Sequence, residues 1–299
     1  MTDAVNLRTR LTRKPIVVAP GVYDALTAHL AEQAGFSTLY VSGAAIAYTR
    51  LGRPDIGLVA MSEVADTIAV IRDRVGANLV VDADTGYGNA LNVSRTIRLF
   101  ERAGANAIQL EDQAFPKRCG HLDNKALIPA GEMVGKIKAA LDARHSRDTL
   151  VIARTDAIAV EGFERAIGRA VSYRDAGADI LFVEAPKTHA ELQRLPAALS
   201  DVPLMANMVE GGKTPPLAAA DLEAIGFSLV IFPGAIVRAL ARTASEFYAS
   251  LAAHGTSGPF LDRMYDFAAL NDVIGTPEMI ALGKDYEAGA PNNKKGRGT

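Results

Sequence analysis

The chain has no tryptophan, one cysteine, five histidines and only 6% aromatic residues in 299 positions. A single thiol excludes an intramolecular disulfide and any zinc centre built from several thiolates. Lysine and arginine number 32 against 34 aspartates and glutamates, a formal net charge of −2, so the basic field that nucleic acid needs is missing. No run of about 18 apolar residues occurs, which leaves no membrane-spanning helix of ordinary length. The opening stretch MTDAVNLRTRLTRKP is basic without an apolar core, so no secretory leader is expected and a cytoplasmic protein is the default. His29, His145, His189 and His254 fall on expected surface helices or loops.

What is abundant is a rhythm. Hydrophobic residues make up 49% and charged residues 22%, ordinary for a globular enzyme with a large core. Eight short apolar runs recur: PIVVAPG, STLYVSGA, NLVVDADTG, NAIQLEDQ, TLVIARTDA, DILFVEAP, VPLMANMVEGG and SLVIFPGA. Most precede a stretch with apolar positions at helical spacing, such as YDALTAHLAEQAGF, NVSRTIRLFERAGA and FERAIGRAVSYRDAGA. Continuous apolar strands alternating with helices imply parallel strands buried on both faces. Eight such units without a visible linker predict an α/β fold, a closed (β/α)8 TIM-type barrel, over residues 1–285. The tail 286–299, GAPNNKKGRGT at its end, has little to bury and is expected to be disordered.

The predicted strands end in polar or small residues: Ser42 and Gly43, Asp82 and Asp84, Glu111 and Asp112, Arg154 and Asp156, Glu184, then Asn207 and Glu210. In a barrel that edge carries the active site. Asp82 and Asp84 are two apart on a predicted strand, so their side chains are expected on one side, where two carboxylates repel unless a cation sits between them; oxygen ligands without histidine suit Mg2+ or Mn2+. Small residues after Ser42 expose backbone N–H groups suited to a carboxylate or enolate oxygen, and Tyr40 on the same strand reaches toward the same edge. The sole cysteine lies in PKRCGH, where Lys117, Arg118 and His121 are expected to lower the pKa of the Cys119 thiol.

DADTGYGN, LEDQAFPKRCGH, ARTDA and NMVEGGKTP, in that order, resemble the isocitrate lyase/phosphoenolpyruvate mutase superfamily from about Pro20 to Tyr248, within it the short 2-methylisocitrate lyases, dimethylmalate lyases and carboxyphosphonoenolpyruvate mutases. The resemblance implies a barrel whose C-terminal helical segment is exchanged between subunits, a homotetramer built as a dimer of such dimers, dependence on Mg2+ (or Mn2+), and a small carboxylate as substrate rather than nucleic acid or membrane.

Carried onto this sequence, the resemblance makes Asp82 and Asp84 the metal carboxylates, and the backbone of Ser42, Gly43 and Ala44 the cradle of a pyruvate-like unit that Arg154 also binds. Glu184 and Asn207 line the other end, and Cys119, on a closing loop with Gly120 and His121, is the general acid. Arg238 matches an arginine that methylisocitrate lyases use on a distal carboxylate, and Tyr40 is the candidate to accept or relay the hydroxyl proton. The implied reaction is cleavage of a 2-hydroxy di- or tricarboxylate to a 2-oxoacid and a carboxylate; a dimethylmalate or oxaloacetate substrate, or phosphonomutase chemistry, is the alternative.

Overall fold

A computed structural model describes residues 6–122 and 124–287. All eight predicted strands are present: β1 (Val17–Val22), β2 (Thr38–Val41), β3 (Asn78–Asp82), β4 (Ala107–Glu111), β5 (Leu150–Thr155), β6 (Ile180–Val183), β7 (Leu204–Asn207) and β8 (Leu229–Phe232). Each pairs in parallel with its neighbours, and β1 closes on β8 with Val17 opposite Leu229 and Ala19 opposite Ile231. A closed ring has no edge strand to protect.

Two apolar layers build this unit. Val17, Ala19, Tyr40, Val80, Ala107, Ile152, Phe182 and Ile231 fill the barrel interior together with Leu7 and Leu11. The opposite strand faces pack against the surrounding helices. The helix Ala90–Ala103 shows why the local sequence suffices. Asn89 caps it by accepting from Leu91 and Asn92, while Val93, Ile97 and Phe100 form the buried stripe. Gly104, at φ 110°, then turns the chain back by donating to the Phe100 and Glu101 carbonyls.

The chain divides into two compact units, the barrel up to Ala239 and a helical unit from Leu240. In the second, the remainder of the helix Ala235–His254 is followed by the helices Phe267–Ile274 and Thr276–Glu287. Phe247 meets Phe260 edge to face with ring centres 5.4 Å apart, and Arg263 lies over the Phe260 ring. The same unit exposes Tyr248, Leu261, Tyr265, Phe267, Met279 and Ile280. Helix continues through Tyr286 and Glu287, two residues beyond the expected start of the tail; 288–299 lie outside the described residues.

Candidate functional site

The C-terminal strand ends meet in one pocket lined by Tyr40, Ser42, Ala44, Asp82, Cys119, Gly120, His121, Arg154, Glu184, Asn207 and Arg238. Of the expected site residues only Gly43 and Asp84 lie behind this surface rather than on it. A larger surface depression at the opposite strand ends, lined by Arg8, Arg144, His145, Arg147, Asp148 and Asp179, is occupied by ion pairs from Arg8 and Arg144 to Asp179.

Asp82 and Asp84 converge, though not by strand alternation. β3 ends at Asp82, and Asp84 sits beyond it at φ 47°, with its own N–H donating to Asp82 Oδ1 at 3.2 Å. A left-handed turn, not a pleat, swings the second carboxylate beside the first. Gly43 leaves the room between β2 and the pair: a Cβ there would stand 3.2 Å from Asp82 Oδ2 and 3.6 Å from Asp84 Oδ1. Asp84 Oδ1 is buried with no directed hydrogen bond, although the Lys117 ammonium approaches it to 2.6 Å as an ion pair. Burial, with Asp82 and Asp55 beside it and Lys117 opposing, raises the Asp84 carboxyl to about 6. Two converging carboxylates, with no histidine or cysteine ligand grouped with them among the described residues and the buried Asp84 Oδ1 met by the Lys117 ammonium alone, fit a hard divalent cation that would displace that ion pair. Among the described residues no cluster of three or more acidic, histidine or cysteine side chains forms a complete metal cage, so the remaining ligands would be water and substrate.

Tyr40 sits in a buried relay. Its hydroxyl donates to Gln109 Oε1 at 3.1 Å, and Gln109 Nε2 donates to Asp82 Oδ1 at 3.1 Å, so a buried relay orients the first carboxylate. Burial, reinforced by the charge on Asp82, raises the phenol well above its ordinary range, which keeps its proton on oxygen as a donor to Gln109. Gln109 was missed from sequence, where its signal is a single polar residue inside an apolar strand.

Glu111 and Asp112 part company. Glu111 points to the site, with Oε2 3.4 Å from Arg154 Nε and Oε1 buried without a partner. Asp112 turns into the wall, accepting from the Thr155 hydroxyl, the Tyr173 hydroxyl and the Asp156 backbone N–H. It is therefore a support and not a ligand of the pocket. Arg154 donates from Nε and Nη2 to the two oxygens of Asp156 at 2.9 and 3.1 Å, and its Nη2 lies 3.5 Å from Glu184. Asn207 Nδ2 donates to Glu184 Oε2 at 3.1 Å.

The cysteine segment is pinned at several points. The stem is formed by the Gln113–Leu127 bridge. Lys117 Nζ is 2.6 Å from Asp55 as well as Asp84, and the Cys119 N–H donates to the Asp55 carbonyl. His121 Nδ1 accepts from the Lys213 backbone N–H at 3.0 Å, which puts its proton on Nε2, 3.3 Å from Glu184. Burial also lowers the His121 pKa, so the ring is neutral. The expected activation of the thiol fails for that reason: Lys117 is committed to carboxylates, His121 carries no charge, and burial pushes Cys119 above the ordinary thiol range. A raised pKa keeps the proton on sulfur at neutral pH, the state a proton donor requires.

Arg238 reaches the pocket from the helix after β8, but its Nη1 donates to Glu210 at 3.1 Å and its side chain is half exposed. Tyr48, Asp55, Val209, Ile231, Pro233 and Gly234 complete the lining. Sequence reading missed them because they sit in loops, in a short helical turn or among apolar strand residues, with no charge pair or motif to single them out.

The phosphoenolpyruvate phosphomutase family model matches residues 7–252. The chain is 40% identical to 2,3-dimethylmalate lyase of Eubacterium barkeri over 97% of this chain and 100% of the relative, and 47% identical to 2-methylisocitrate lyase of Aeropyrum pernix over 90% and 86%. A crystal structure of 2,3-dimethylmalate lyase, described as a PEP mutase/isocitrate lyase superfamily member, superposes with a TM-score of 0.89 at 35% identity, covering 100% of this chain and 99% of that one. Oxaloacetate acetylhydrolase bound to 3,3-difluorooxalacetate gives 0.89 at 34% identity, covering 97% and 98%.

Proposed function

The chain belongs to the phosphoenolpyruvate mutase/isocitrate lyase superfamily, and from that premise we propose that it is a carbon–carbon lyase that splits a 2-hydroxy di- or tricarboxylate, of the 2-methylisocitrate or dimethylmalate kind, into a 2-oxoacid such as pyruvate and a carboxylate such as succinate or propionate. The observation that carries this reading is the protonated thiol of Cys119 facing the same pocket as the Arg154 guanidinium and the Asp82 carboxylate.

In this reading Arg154 and the backbone of Ser42, Gly43 and Ala44 hold the forming oxoacid, while Glu184 and Asn207 line the end beneath Gly120 and His121. Asp82 and Asp84 would hold Mg2+ or Mn2+, which when bound polarises the oxoacid oxygens and stabilises negative charge developing on them. The hydroxyl proton leaves to one of the carboxylates that line the pocket, Asp55, Asp82 or Glu184. As the carbon–carbon bond breaks, its electron pair stays on the departing carboxylate half, and Cys119 delivers the proton that quenches it. The lyase relatives support lyase over phosphonomutase chemistry.

The Arg238–Glu210 pair supports the dicarboxylate alternative, because a guanidinium already neutralised offers less to a third carboxylate. The apolar surface of the second unit supports a helix-exchanged dimer and a homotetramer, in which the unit completes one catalytic domain with the barrel of a second copy. Among the described residues no helix is long and apolar enough to cross a membrane. The decisive experiment is a panel of 2-hydroxy di- and tricarboxylates with pyruvate release coupled to lactate dehydrogenase; no release from any of them rejects the lyase reading.

A further inference from the structure

Lys125 lies at the base of the cysteine segment, and its ammonium is almost wholly buried. A buried ammonium is costly unless it is paired and fully hydrogen-bonded. It donates to the Gly120 carbonyl and, at 2.7 Å, to Asp156 Oδ1. Asp156 in turn grips Arg154 through both carboxylate oxygens, and its own backbone N–H is fixed by Asp112. The same cation therefore touches the carbonyl of the residue that follows the cysteine and the carboxylate that orients the guanidinium.

An independent feature shows how tightly these parts meet. A Cβ on Gly120 would stand 2.4 Å from Arg154 Nη2 and 2.7 Å from Glu184 Cγ, so the backbone next to Cys119 rests directly on the arginine. Nothing in PKRCGHLDNK marks its last lysine as different from a solvated loop residue, and its role is visible only in the fold.

We propose that Lys125 is a positioning residue: its ammonium holds Gly120, through the Gly120–His121 peptide carbonyl, down on Arg154 next to Cys119 and, through Asp156, fixes the guanidinium, so that proton donor and oxoacid receptor are aligned by one cation. This rests on the roles read above for Cys119 and Arg154. Without Lys125, the Gly120 carbonyl loses its donor, Asp156 loses one of its two cations, and the thiol is free to leave the arginine.

The test measures alkylation of Cys119 by iodoacetamide in the full-length protein, with and without oxalate as a small dianion for the Arg154 pocket, alongside a thermal melt. Lys125→Met should alkylate about 10-fold faster than wild type, as local opening exposes the thiol, and oxalate should no longer protect it. Lys125→Arg keeps the charge but is too long and broad to reach both acceptors, so it should fall between the two. In the lyase assay the methionine variant should lose kcat while KM changes less. Alkylation and protection equal to wild type in both variants overturn the proposal. If Lys125→Met gives no cooperative melt, Lys125→Arg decides alone, wild-type rates counting against. Absence of turnover by the wild type with every hydroxy acid would defeat the reaction reading and leave the alkylation comparison intact.

Discussion

The Lys117 ammonium stands 2.6 Å from Asp84 Oδ1 and 2.6 Å from Asp55 Oδ1, so a cation of the protein itself already lies against one of the two carboxylates assigned to a metal. Because Asp84 is raised to about 6, folding without metal takes up a proton between the unfolded carboxylate value of about 4 and that pH. Its contribution to stability is present at low pH and lost as pH rises through about 6. A divalent cation competes with that proton. MgCl2 should therefore raise Tm at about pH 7.5, the shift should shrink as pH falls through 6, and Asp84→Asn should abolish it. An equal Mg2+ shift in the asparagine variant would remove the carboxylate pair as the site. Activity should be lost in EDTA and return with excess Mg2+.

For Cys119 the sign of the pKa shift changes what reactivity should look like. A thiol raised by burial is alkylated slowly at neutral pH, and its rate should climb only above the ordinary thiol range. Cys119→Ser should keep substrate affinity and lower kcat about 10²-fold or more, the scale of losing a general acid. A near-normal kcat in the serine enzyme rules out sulfur as the donor.

The strands and their parallel order were legible because β-branched runs alternate with helical stretches over eight repeats, and the pocket residues because a barrel gathers strand C-termini at one end. Side-chain environment was not legible. PKRCGH places three cationic side chains around a thiol in the sequence, but the fold sends Lys117 to Asp55 and Asp84 and leaves His121 neutral. Asp82 and Asp84 were paired by a strand rule, but the strand stops two residues short of Asp84, and they meet only because Asp84 adopts a left-handed backbone. Tyr40 was read by its reach, whereas Gln109, the third residue of β4, decides what it does.

Gly120 offers a steric test of the seating of the cysteine segment. Alanine there would drive a methyl group into Arg154 Nη2, and Arg154 cannot retreat because Asp156 holds two of its nitrogens. Gly120→Ala should lower kcat/KM by about 10²-fold, the cost of a misplaced catalytic group, while the barrel melts within a few degrees of wild type. Wild-type kinetics in this variant would show that the segment does not rest on the arginine during turnover.

Arg238 decides substrate size. A guanidinium–carboxylate contact in a closed pocket is worth about 1.5 to 3 kcal/mol, roughly 10- to 150-fold in affinity. If a third carboxylate binds there, Arg238→Ala should raise KM for 2-methylisocitrate by that order and leave dimethylmalate almost unchanged. Glu210 adds a second arm, since it holds the same guanidinium at 3.1 Å. Glu210→Gln frees Arg238 of its counter-charge, so it should lower KM for the tricarboxylate and do nothing for the dicarboxylate. Comparing kcat/KM for both substrates across wild type and the two variants separates the cases. A tricarboxylate KM that moves in neither variant means that Arg238 serves Glu210 and not the substrate, and dimethylmalate-like chemistry then takes precedence.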